Sequence, residues 1–468
     1  MRQAPVGIVG TFAANRPYLS VGVLISGLAA MAVIAARQVG AGVLISGFAI
    51  NAALMLALPM ALASFTPRRS VQRLIYFVLV LAVFAALIVI AMGIVPVDVQ
   101  MPPVQNLVVG LALFSFLSAL APLSSNVSRL GLLAPFGAVV GATGASGYLA
   151  LNNLLMSDVG AMAAGIGLSI GIGTGINVAA DFAAIFATGE KRKHAAAAAG
   201  HRAIAPSAFS LIAIASFMAI YSYTDNFGAI DPAVVWAGVT VGSGAMITAL
   251  VAVTGGLSLS PIGEQAALDE NRRRQWFSAR WRPVRLALPA STAAATVAIA
   301  GIFLVIALFE NGVDAPVRLA AFIALIWIGA GLTFVSIRTS LLIAFLLLVS
   351  AIIADYALSI VGLTKIAFNE KLAALTLTAV ALGHMTVSWR DASEQWHNAR
   401  DIVENALSDG LRRFLFIAGT GAVSLYIAER SFAWHGAHST IIYFLSTSLI
   451  ALIIAPSAMT AMSARFGR

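Results

Sequence analysis

The chain has no cysteine. That excludes disulfides, thiolate metal sites and a cysteine nucleophile. Charge is scarce too. Asp, Glu, Lys and Arg make up 10% of the 468 residues, apolar residues make up 60%, and mean hydropathy is +0.94. A water-soluble chain of this length could not cover so much apolar surface with so few charges. There is no Gly-x-x-x-x-Gly-Lys-Ser/Thr loop, so no phosphate cradle of that type lets ATP drive the protein directly. Metal-ligating side chains are not gathered: His194 and His201 stand seven residues apart, and His435 and His438 have no acidic neighbour. No set of nucleophile, base and orienting group stands out, so neither an enzyme nor a cofactor is expected.

Long apolar runs fill the space that these absences leave. A membrane span needs about 20 such residues. Fourteen runs qualify, near 18–36, 42–65, 74–95, 105–122, 131–151, 161–187, 205–224, 233–258, 286–309, 317–337, 340–362, 372–389, 413–429 and 440–462. Basic residues collect at every second connection. With both ends in the cytoplasm, 23 of the 28 Lys and Arg fall on the inner side, the pattern of a multi-pass inner-membrane protein. Arg37, Arg318, Lys365, Lys371 and Arg430 are the outer exceptions. Outer loops carry acids instead, among them Asp98, Asp158, Asp225, Asp231, Glu310 and Asp314. The net charge of +9 is therefore topogenic. It favours anionic lipid headgroups as partners and gives no basis for binding nucleic acid.

The runs predict an all-α, polytopic bundle of about 14 helices. Residues 1–65 form an N-terminal hairpin, 66–258 a first six-helix repeat, 259–285 a cytoplasmic interfacial linker, and 286–468 a second six-helix repeat and tail. The linker places Trp276, Phe277 and Trp281 among arginines, the composition of a helix lying in the bilayer interface. The repeats follow one plan: arginines before a span, a short acidic outer loop, a tight inner turn (Arg129; Arg338), a longer inner segment (188–204; 390–412) and a closing hairpin. Both enter and leave on the same side, so they are expected to be parallel. The second inner segment alternates charge with Ala, Leu, Ile and Val and is expected to lie on the surface.

This doubled six-span plan resembles the membrane portion of the resistance-nodulation-division superfamily, including its lipid-exporting, MMPL-like branch. The best stretch runs from Gly165 to Gly256: a glycine-rich helix, Asp181-Phe182-Ala183, a basic loop from Gly189, and Gly200-His-Arg-Ala-Ile204 before the next span. In the second half, Gly410-Leu-Arg-Arg-Phe414 takes that last place. The resemblance implies transport of an apolar or amphipathic substrate, lipid included, with possible proton coupling and rocking of one repeat against the other. The large outer domains of that family are missing, since the corresponding loops span only about 96–104 and 310–316. Separate periplasmic or membrane subunits would have to supply them. The alternative is a non-transporting scaffold or accessory subunit of a larger envelope complex.

Ionisable groups inside a bilayer cost roughly 2.5–3.5 kcal/mol each at a helix centre, so each one calls for a reason. Asp181 lies toward the inner end of its span, and Asn177 is one turn away on the same face. His384 lies at a similar depth in the second repeat. Together they are candidates for a proton relay. Asp181 solvated at the inner interface and His384 bonded to a carbonyl is the competing reading. Asp355 is expected to pair with Lys365 or Lys371. Gly167, Gly171 and Gly175, spaced by four, are expected to let helices pack closely.

Overall fold

The computed structural model describes residues 133–152, 158–225, 229–259, 314–360, 366–395, 399–432 and 436–466, with a few single positions outside these stretches. Ten helices and short turns account for these stretches, with no strand among the described residues. They are α1 (Leu133–Leu151), α2 (Asp158–Phe186), α3 (Arg192–Arg202), α4 (Ile204–Asp225), α5 (Pro232–Leu259), α6 (Asp314–Phe334), α7 (Ile337–Ile360), α8 (Phe368–Gln395), α9 (Ala399–Phe432) and α10 (Ala437–Phe466). Nine described segments are long and apolar enough to cross a bilayer, with α3 and α4 counted as one. They occupy nine of the expected runs. The other five, near 18–36, 42–65, 74–95, 105–122 and 286–309, lie outside the described stretches, as does the linker 259–285 beyond Leu259.

Helix ends follow local chemistry. Asp231 caps α5, its Oδ1 accepting from the Ala233 N–H at 2.8 Å, with Pro232 at the first helical position. Ser336 precedes α7 and accepts from the Thr339 N–H at 3.3 Å. At the start of α8 the Glu370 carboxylate reaches back to the Ala367 N–H at 3.3 Å. Gly189 and Gly362 follow α2 and α7 with φ of 89° and 80°, a conformation that glycine adopts without a Cβ clash. Val335 takes the same place after α6 with φ 49°, although its branched side chain disfavours that region. Within the helices, many buried hydroxyls turn back on carbonyls of the preceding turn, as Thr174 does on Ile170 and Thr376 on Leu372. A span can thus carry hydroxyls without stranding them in lipid.

The charged segment 390–412 is mostly helix. Residues to Gln395 prolong α8, and those from Ala399 open α9. Ala, Arg, Glu and Leu are good helix formers, and no proline interrupts the segment.

The described helices form two compact units. The first contains α1, α2 and α3, residues 243–259 of α5 and residues 419–432 of α9. The second contains α4, α6, α7, α8 and α10, residues 232–242 of α5 and residues 399–418 of α9.

In the first unit α2 is buried along its length. A helix that is apolar all round has no solvent face, and small residues let its neighbours close on it from several sides. A Cβ added to Gly171 would stand 2.7 Å from the Ala245 carbonyl oxygen of α5 and 2.8 Å from the Ala138 Cβ of α1. One added to Gly175 would strike Ala134 of α1. One at Gly165 would stand 3.1 Å from the Ser424 carbonyl oxygen of α9. Between α1 and α5, the Thr248 hydroxyl lies 2.6 Å from the Gly137 carbonyl and 2.7 Å from Gly244 O, and donates there.

In the second unit α6 and α7 form a hairpin, α10 packs on α7 and α8, and α4 packs on α6 and α8. Gly383 of α8 leaves room for the Phe209 ring of α4, which also meets Phe334 at 5.5 Å between centroids. Trp327, Ile328 and Leu332 of α6 are exposed, as suits a helix whose outer face meets acyl chains.

Candidate functional site

Buried ionisable side chains occur in both units. In the first, Asp181 is 2% exposed and Asn177, one turn earlier on α2, is fully buried. Gly167, Gly171 and Gly175 are all buried on the same helix.

His384 belongs to the second unit and is fully buried on α8. Ser388 is one turn further along. Facing them, α9 brings Asp409 and Arg413, again one turn apart. The Ser388 hydroxyl donates to Asp409 Oδ2 at 3.0 Å. The Arg413 guanidinium donates to the same oxygen through Nε and Nη2, each at 3.0 Å. The Arg413 side chain is 4% exposed and that of Asp409 16%. His384 lies within the electrostatic reach of Arg413. A Cβ on Gly410 would stand 3.0 Å from the Met385 carbonyl oxygen, so the α8 and α9 backbones almost touch beside the ion pair. Low surrounding dielectric strengthens such charge-assisted bonds and makes the loss of either partner costly.

Hydropathy puts Arg413 at the very edge of the apolar run 413–429, where a connection would meet it. Its burial has a local cause, because Asp409, four residues earlier on one helix face, neutralises it. Hydropathy marks neither Asp409 nor Ser388. The available signal was an acid four residues before an arginine, directly beside the Gly410-to-Phe414 motif.

Asp355, near the end of α7, pairs with Lys371 of α8 at 2.6 Å. The Lys371 ammonium also lies 5.7 Å from the centroid of the Tyr443 ring of α10. His194 faces Glu190 at 3.2 Å at the start of α3. Among the described residues, no three His, Asp or Glu side chains gather as metal ligands would.

Compared with protein-family models and with curated proteins, the chain gives no match to either.

Proposed function

We propose that this chain is an inner-membrane transporter-like protein that moves an apolar or amphipathic molecule, lipid included, with proton coupling through Asp181 and His384. The observation that carries this reading is the set of ionisable groups buried in span-length helices: Asp181 beside Asn177, and His384 beside the Ser388–Asp409–Arg413 cluster. Such groups are expensive in a bilayer, face the interior of a bundle and mark ion or substrate routes. Asp181 would take up and release the proton, with Asn177 holding its carboxyl in place by an amide hydrogen bond. His384 would be the second proton-binding group, with the cluster as its charged neighbour. The kinship with the resistance-nodulation-division superfamily remains part of this proposal. It supplies the substrate class and the orientation, with both termini and the arginine-rich connections on the inner side.

The second reading, a scaffold or accessory subunit of an envelope complex, is favoured by the short outer connections near 96–104 and 310–316. Native mass spectrometry of the protein in membrane nanodiscs separates the two. A lone chain or homo-oligomer that retains an amphipathic small molecule supports the transporter. Stoichiometric partner chains with large soluble domains, and no bound small molecule, support the accessory subunit.

A further inference from the structure

The contacts between α8 and α9 fix how the two helices are aligned. Ser388 meets Asp409 at 3.0 Å, and a Cβ on Gly410 would stand 3.0 Å from the Met385 carbonyl oxygen. Numbers fall along α8 as they rise along α9, so the pair runs antiparallel. One turn beyond Ser388 and Asp409 stand His384 on α8 and Arg413 on α9. The interface therefore has two polar levels. Ser388 and Asp409 make the first. His384 and Arg413 make the second, where the guanidinium charge acts on the imidazole. The second level is the drier one: His384 is fully buried and Arg413 is 4% exposed, against 16% for Asp409.

The second level thus holds two groups that can each be cationic, with the Asp409 carboxylate one turn away. Arginine does not shed its proton in a protein. A protonated His384 beside it would add a second positive charge in a low dielectric, at a high cost unless a carboxylate answers it. The other described charges lie further off. Asp391 follows on the same face of α8, seven residues or about 10 Å along the axis from His384. Arg390, next to it, reaches the Phe334 carbonyl of α6. Tyr221, Tyr223 and Asp225 of α4 lie at least 12 residues beyond Phe209, the ring packed on Gly383. Asp355 of α7 and Tyr443 of α10 gather at Lys371, 13 residues from His384. Glu370 adjoins that lysine on α8. Arg338 opens α7, and Arg318 lies in the first turns of α6.

We propose that Asp409 is a shared counterion, which holds Arg413 while His384 is neutral and passes to the imidazolium when His384 takes up a proton. The proton adds to a ring nitrogen of His384. The bonds from Arg413 Nε and Nη2 to Asp409 Oδ2 then give way to one from the imidazolium, and the guanidinium turns aside on its flexible stem. Ser388, one turn from His384, keeps the carboxylate at the helix interface throughout. The exchange deepens the transporter reading and rests on it, because it converts proton uptake at His384 into movement of a side chain between two helices. Arg413 is the positioning residue of that step.

Solid-state NMR of the full chain in lipid bilayers, with isotope-labelled histidine nitrogens and aspartate Cγ carbons, tests the exchange. Lowering the pH from about 8 to about 5 should protonate His384 and bring up one nitrogen-to-carbon contact of about 4 Å. His194 faces a glutamate and gives no such signal. The contact should vanish in His384→Gln and in Asp409→Asn. Asp409→Leu with Arg413→Met removes the carboxylate by a second way should Asp409→Asn fail to fold. In Arg413→Met, or in Arg413→Gln if the first misfolds, the contact should form about one pH unit higher, at a tenfold lower proton concentration. A contact that survives loss of Asp409, or one that forms at the native pH without Arg413, would overturn the exchange. So would a protonated His384 with no aspartate beside it, or a His384 that stays neutral throughout. No substrate enters this measurement, so these results speak against the exchange alone. A chain that holds no amphipathic molecule speaks against the transporter reading alone.

Discussion

Arg413 grips Asp409 across one helical turn with two donors, Nε and Nη2, both 3.0 Å from the same carboxylate oxygen. Ser388 adds a third contact to that oxygen from the neighbouring helix at 3.0 Å. Arg413 is buried and Asp409 partly so, and little of the pair's energy is net stabilisation, because the guanidinium has lost its water and the carboxylate part of its own. Removing one member is a different matter, since it strands the other.

This asymmetry sets the first expectation. Arg413→Met should cost about 1–3 kcal/mol, below the full buried-pair penalty, because the Asp409 carboxylate it strands is partly exposed and keeps the Ser388 hydroxyl. Asp409→Leu combined with Arg413→Met should recover most of that loss, because both charges are gone and volume is kept. Thermal unfolding midpoints in detergent, compared as a double-mutant cycle, read the coupling. A double variant no more stable than Arg413→Met would refute the assignment.

The glycines differ in what they tolerate. Gly171→Ala drives a Cβ to 2.7 Å from the Ala245 carbonyl oxygen and should destabilise the first unit by about 1–3 kcal/mol, because backbone blocks any easy relief. Gly331→Ala is the contrast: its Cβ would meet nothing closer than Ser340 at 3.9 Å. That variant should be neutral or slightly stabilising, since alanine is the better helix former. Unfolding midpoints of the two variants, measured side by side, check the difference.

Val335 holds φ 49° at an exposed turn between α6 and α7. Left-handed backbone costs a branched residue about 1–2 kcal/mol, and glycine returns part of that as unfolded-state entropy. Val335→Gly should therefore raise stability by about 0.5–1 kcal/mol, seen as a higher unfolding midpoint. A lower midpoint would mean that the valine side chain contributes more than its backbone strain removes.

Much of the helical plan was legible in the chain, because long apolar runs leave little choice in a bilayer. The runs near 131–151, 161–187 and 340–362 mark α1, α2 and α7 closely. Apolar runs locate spans but not the ends of helices whose polar residues also favour helix. This is why α8 runs on to Gln395 and α9 starts back at Ala399. The pairing of Asp355 was open between two lysines, and the register of α7 against α8 gives Lys371. The Asp409–Arg413–Ser388 cluster was the harder part. Hydropathy treats Asp409 and Arg413 as loop charges, whereas their four-residue spacing lets them neutralise each other inside a helix. Ser388 carried no signal at all, because a serine in a span usually bonds its own backbone.

Asp181 is the residue on which the proposed coupling turns, and one measurement addresses it directly. Proteoliposomes holding the full chain and a fluorescent acyl-chain phospholipid are placed under an imposed pH gradient, and movement of the lipid between leaflets is followed by dithionite quenching. The account predicts gradient-dependent movement by the native chain and its loss in Asp181→Asn, with the variant still folded by gel filtration. Movement that ignores the gradient, or that keeps its full pH dependence in Asp181→Asn, would contradict it.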